Sequence, residues 1–177
     1  TDWSPSGKTD FAQAYVLDLN AGQLTSTSQS TDPVHNVAYD TAISPDETKA
    51  MFYVSQGSGS GPAVTPHIYS YNFATGQKVL VDKNSSGASG NDSVFTSEHH
   101  ISITPGGQVV FSSYATNLVS GVTDGHIHVY LADPQTSIIR VLDKSQDGSI
   151  PNADSYQPEV DARGKLGQFV SAATNMG

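Results

Sequence analysis

At 177 residues the chain is long enough to bury one sizeable core. Eight basic against 17 acidic residues leave a formal charge of −9 and an isoelectric point near 4.8, which argues against nucleic acid or an anionic membrane surface as partner, since both require clustered Lys and Arg. With no cysteine, disulfides, thiolate nucleophiles and Cys-based zinc sites are excluded, and no apolar run reaches the ~18 residues of a helical membrane span.

In chain order, residues 1–10 are polar and turn-like, with Trp3 the only large apolar group. They read as neither a signal peptide nor an initiator start, so the expectation is a processed chain or one cut from something longer. Residues 11–20 and 23–27 read as two strands joined through Asn20-Ala21-Gly22. After a connector come 39–44 and 50–55, joined by Pro45-Asp46-Glu47-Thr48, then 67–73 and 78–82, joined by Ala74-Thr75-Gly76. A second polar connector leads to the fullest example, residues 99–143, with runs at 99–104, 108–113, 126–132 and 137–142. These runs alternate apolar with small or polar residues, the period of a half-buried strand, and Pro105-Gly106-Gly107 and Asp133-Pro134-Gln135-Thr136 supply tight-turn chemistry. A third connector precedes two last runs at 156–162 and 166–172.

The pattern repeats. Phe52, Phe111 and Phe169 recur at nearly equal spacing, and so do Pro45, Pro105 and Ala162. Ala115-Thr116-Asn117 returns at the same interval as Ala173-Thr174-Asn175. A fixed period of this size marks solenoids, propellers and arrays. The predicted fold is therefore all-β: propeller blades of four antiparallel strands, about three repeats of 58–59 residues at roughly 29–95, 96–153 and 154–177 joined with 1–28. The joined unit makes one blade shared between the N- and C-termini, Tyr15 aligning with Tyr130 and Asp18 with Asp133. Closed propellers usually have ~4–8 blades, so three repeats imply either a homodimer completing the ring or association with further blades.

The run Ile43-Ser44-Pro45-Asp46-Glu47-Thr48-Lys49-Ala50-Met51-Phe52-Tyr53-Val54-Ser55 resembles the signature of bacterial TolB-type (PD40, WD40-like) β-propeller repeats, and His67-Ile68-Tyr69-Ser70-Tyr71 is similar to a later strand of that repeat. The second copy keeps Thr104-Pro105-Gly106-Gly107 and Phe111-Ser112-Ser113, while the third keeps Arg163-Gly164-Lys165 and Phe169-Val170-Ser171 but has Ala162 for proline. The resemblance implies a fold more than a function, because such blades serve as protein binders, carbohydrate binders and enzyme scaffolds alike. It also implies that the first strand of each blade lines a central channel, where TolB-like polysaccharide lyases hold a divalent metal with histidines.

On that reading the channel candidates are His99 and His100 with their repeat equivalents Tyr39, Asp40, Tyr156 and Gln157, a ring able to bind a sugar or, through His100 and Asp124, a divalent metal such as calcium. His126 and His128 share one face of a strand but lie away from the channel. Oxygen-rich loops at Asn91-Asp92, Asn117 with Asp124-Gly125, and 147–154 lack the spacing of a known calcium loop, and no G-x-S-x-G elbow or phosphate cradle is present. The expected function is a non-catalytic binding or structural module engaging protein or glycan. The alternative is a metal-assisted polysaccharide lyase or hydrolase. Low Lys with abundant Ser, Thr, Asn and Gly points to an extracellular or periplasmic setting.

Overall fold

The structure is a computed structural model that describes residues 14–27, 35–57, 65–94 and 101–177. Within them are 12 strands and no helix. No helix long and apolar enough to cross a membrane occurs among the described residues.

The strands are β1 (Tyr15–Leu17), β2 (Leu24–Ser26), β3 (His35–Ile43), β4 (Lys49–Gly57), β5 (His67–Asn72), β6 (Lys78–Leu80), β7 (Ser102–Ile103), β8 (Val109–Ser113), β9 (His128–Asp133), β10 (Ile138–Val141), β11 (Ser155–Val160) and β12 (Gly167–Ser171). They form four antiparallel sheets. Two are complete four-stranded meanders, β3-β4-β5-β6 and β7-β8-β9-β10, and two are two-stranded, β1-β2 and β11-β12.

Two turn designs, each used three times among the described residues, explain why these strands pair in equivalent registers. In the turn from the first to the second strand of a sheet, a side-chain oxygen caps backbone N–H groups. Ser44 Oγ accepts from Lys49 N–H at 3.0 Å, Thr104 Oγ1 from Gln108 N–H at 3.1 Å, and Asp161 Oδ1 from Leu166 N–H at 2.8 Å. Three residues on, Glu47, Gly107 and Gly164 take positive φ (58°, 81° and 66°). The third-to-fourth strand turn begins with Asp18, Asn72 or Asp133, whose Oδ1 accepts the N–H groups two and three residues ahead, the geometry of an Asx turn. Four residues later Gly22, Gly76 and Ser137 adopt left-handed φ. By this measure β1-β2 is a third-and-fourth-strand hairpin and β11-β12 a first-and-second-strand hairpin.

Alternation along the central strands places opposite side chains on opposite faces, and the sheets stack in chain order through three apolar interfaces. Phe52 and Val54 of β4 pack with Ala14 toward β1-β2. Met51 and Tyr53, on the other face of β4, join Ile103, Phe111 and Tyr130 in the largest cluster, between the two complete sheets. Val110, Val129 and Leu131 then meet Val160 and Phe169 of β11-β12. Burying each such side chain is worth about 1.5–3 kcal/mol, so the interfaces carry most of the fold. Ser102 Oγ accepts the Val160 N–H at 3.1 Å, which links the first strands of adjacent sheets.

The described residues close no barrel or ring. The blade expected from joining the termini is not formed among them: β1-β2 and β11-β12 are separate sheets at the two ends of the row.

Candidate functional site

The register places two of the expected channel pairs at equivalent points. Tyr39 pairs with Tyr53 and Tyr156 with Val170, each partner lying one residue beyond its second-strand phenylalanine. Both first strands then break register, between Tyr39 and Thr41 in one and between Tyr156 and Glu159 in the other. Asp40 and Gln157 sit inside these β-bulges, and Gln157 has φ of 56°, a conformation a non-glycine side chain adopts only under constraint. Tyr156 and Gln157 are both half-buried. His99 and His100 lie outside the described residues.

The remaining candidates are held by their own neighbours. Asp124 Oδ1 lies 3.0 Å from His128 Nε2 and accepts the His126 N–H at 3.1 Å. Burial tends to raise its carboxyl, yet the His128 bond and the His126 N–H outweigh that and set its pKa below the usual range. Asn117 Oδ1 accepts the Asn91 N–H at 2.9 Å and its amide donates to Ser89 O at 2.9 Å. Ser145 Oγ donates to Asp147 Oδ1, which also accepts the Ser149 N–H, and these bonds hold the Asp147 carboxyl down to about 2. Asp154 Oδ1 takes the Ile127 N–H at 3.0 Å and lies 3.1 Å from His126 Nδ1. No group of three or more His, Asp or Glu side chains able to hold a metal occurs among the described residues.

A pair that the sequence reading missed is the best-defined polar feature of the molecule. His67 Nδ1 is 2.7 Å from Asp82 Oδ2, and Asp82 Oδ1 accepts the Ile68 N–H at 3.0 Å. One repeat later His128 Nδ1 is 3.1 Å from Asp143 Oδ2, with both side chains fully buried. His67 and His128 each stand two residues before the stacked tyrosine, Tyr69 or Tyr130, and each aspartate follows its histidine at the same distance along the chain. The pair therefore closes the base of the third-to-fourth strand hairpin in both complete sheets. The registers make His67 the equivalent of His128, the one opposite Val54 and the other opposite Ser113.

The two locks differ in environment. Desolvation raises the Asp82 carboxyl, opposed by its bonds to His67 and Ile68. At His128 burial disfavours the cation, but hydrogen bonds to Asp143 and Asp124 on its two ring nitrogens outweigh it and lift the imidazole above its ordinary pKa. Burial, with the charges of Asp143 and Asp124, also raises the Tyr130 phenol. Asp143 Oδ1 has no hydrogen-bond partner among the described residues, whereas the corresponding oxygen of Asp82 does.

The repeated Ala-Thr-Asn motif is also structural. Asn91 exchanges two bonds with Thr116, Nδ2 to Oγ1 and Thr116 N–H to Oδ1, both at 2.9 Å. Asn152 makes the same pair with Thr174, again at 2.9 Å. Each asparagine lies in the connector entering a sheet, so the motif clasps that connector to the end of the second strand.

The sequence matches no protein-family model and none of the curated proteins.

Proposed function

We propose that the chain is a non-catalytic binding module built of propeller-type blades of the TolB kind, and that its first strands engage a glycan at the two bulges. The observation that carries this reading is a separation between what repeats and what varies. The histidine-aspartate pairing, the asparagine clasps and the two turn designs recur at equivalent positions, which is the signature of scaffold rather than of chemistry. The bulges recur in place but change in residue, Asp40 in one and Gln157 in the other, each beside a tyrosine. A bulge re-aims a side chain at a fixed point of a rigid sheet, and function resides in sites grafted onto scaffolds in this way. Tyrosine beside a carboxylate or amide suits a sugar, whose apolar ring face stacks and whose hydroxyls accept and donate hydrogen bonds.

Calorimetric titration with neutral oligosaccharides tests the reading. Saturable binding that falls about two- to thirteenfold in Tyr156→Ala, the equivalent of the ~0.5–1.5 kcal/mol of an aromatic contact, is the expected result. Binding by none of the sugars, or binding indifferent to Tyr156→Ala and Gln157→Ala, would refute it.

A further inference from the structure

We infer that a groove across the turn end of the row is a second glycan-binding surface, shaped for an extended neutral chain rather than for a single sugar. Two clefts make it. The first, of about 640 Å³, lies between β1-β2 and β3-β6, and the second, of about 960 Å³, between β3-β6 and β7-β10. Glu47 and Phe73 line both, so the clefts meet at these residues and form one path over three sheets. The Phe73 N–H donates to Thr48 O at 3.0 Å, which holds the ring beside the Glu47 turn. Each volume is that of a small-ligand site, ~300–1,000 Å³, and together they exceed it, as a ligand of several units requires.

The turn designs build equivalent walls for the two clefts. Asp18 and Asn72 open matching Asx turns, and directly after the left-handed Gly22 and Gly76 come Gln23 and Gln77. The carbonyls of these glutamines accept the Asp18 and Asn72 N–H groups at 2.9 and 3.0 Å, which fixes both at the same point of their hairpins. Gln23 lines the first cleft and Gln77 the second. The third hairpin carries Ile138 at this position, and Ile138 lines neither cleft. Stacked sheets stand about 10 Å apart, so the amides recur along the groove at a spacing wider than one sugar ring. The Lys49 stem reaches from one sheet to the next and lies against Gly107, where a β-carbon would come within 2.9 Å of it, so both sheets contribute to the second cleft.

The chemistry of the lining selects the occupant. Phe73 stands at the junction with Tyr71 beside it, both half-buried, their rings tilted at 54° with centroids 6.1 Å apart. The side chains of Gln23, Glu47, Gln77 and Lys83 make no hydrogen bond among the described residues, in contrast to the scaffold asparagines and aspartates. Asp18, Asp46 and Glu47 alternate with Lys49 and Lys83 along the path, so a polyion of either sign would meet a like charge. Aromatic faces beside amides, carboxylates and an ammonium group complement a neutral sugar chain, whose C–H faces stack and whose hydroxyls both donate and accept. An extended peptide would instead call for an open strand edge, and this groove is walled largely by turns. The inference rests on the glycan reading above but uses none of the bulge residues.

Calorimetry with cellobiose, cellohexaose, maltose and maltohexaose tests it. One hexasaccharide should bind about tenfold more tightly than its disaccharide, the effect of a further subsite worth ~1.4 kcal/mol. Gln23→Ala and Gln77→Ala, both at exposed positions, should each weaken the hexasaccharide about two- to thirteenfold, the equivalent of ~0.5–1.5 kcal/mol for one hydrogen bond. Phe73→Ala should abolish the preference for length, Ile138→Ala should leave it unchanged, and it should persist in a Tyr156→Ala chain. Equal affinity for long and short sugars, or a preference indifferent to Gln77→Ala and Phe73→Ala, overturns the inference; if binding then still falls in Tyr156→Ala, the bulge site stands. Hexasaccharide binding that falls with the glutamines and not with Tyr156→Ala supports the groove and removes the bulge site. Binding of none of these sugars, or of an uncharged hexapeptide in their place, overturns the groove and the glycan reading together.

Discussion

Replacing Asp82 with alanine is the sharpest test of the histidine-aspartate lock. The carboxylate is 1% exposed and holds two groups, a partly exposed imidazole and a fully buried backbone N–H. One is the His67 ring at 2.7 Å, a charge-assisted bond worth about 1.5–3 kcal/mol. The other is the buried Ile68 N–H at 3.0 Å, which the substitution strands at about 1–3 kcal/mol. Together these predict a loss of about 2.5–6 kcal/mol, which brackets the ~3–5 kcal/mol for breaking a buried pair by removing one partner. Urea unfolding followed by circular dichroism, with unchanged m-value, measures it. A double-mutant cycle with His67→Ala isolates the side-chain bond, with a coupling of about 1.5–3 kcal/mol expected. A loss below about 1 kcal/mol, the low end for one stranded buried group, or an absence of coupling would show that the repeated pair does not hold the hairpin.

His128 predicts a pH dependence of opposite sign to ordinary acid denaturation. Its folded pKa is raised above its unfolded value, so its contribution is fully present below the unfolded value of about 6.5 and is lost as pH rises through the folded one. The unfolding midpoint should therefore fall as pH rises above about 6.5, and His128→Gln should remove that slope; a slope unchanged in the variant would refute the assignment. Asp124, whose pKa is lowered, acts only in acid and does not overlap this window. At the clasps, Asn91→Ala should cost about 1–2 kcal/mol for two lost bonds and speed exchange of the Thr116 amide, which it caps. Unaltered exchange there would argue that the connector is held by other contacts.

Much of this architecture was legible in the chain. All 12 strands correspond one for one to runs read from period-2 alternation, and the turns were marked by Pro-Gly, Asn and Asp residues, several of whose side chains cap them. The ends were less legible: residues 11–20 suggest one long strand, whereas within the described part, 14–20, the strand is Tyr15–Leu17. The locks were missed because His67 and Asp82 meet across a whole hairpin, and no local pattern couples residues so far apart. The signal was nonetheless present, since the same separation recurs one repeat later at His128 and Asp143. The candidate site was legible only as position. Alignment put Tyr39 with Tyr156 and Asp40 with Gln157, but a β-bulge is a backbone event that composition does not announce.

Among the described residues each sheet in the row packs against its neighbours, through clusters that face one way or the other and do not bridge three sheets. Stability in such a stack behaves as a sum of nearest-neighbour terms, as it does in repeat proteins. An outer sheet has one such term where an inner one has two, so unfolding should begin at the ends and travel inward, with amide protection highest in β4, β5, β8 and β9. Closing the row into a circle would give every sheet two neighbours and abolish the ends at which melting starts, turning a gradient of local opening into a single cooperative transition.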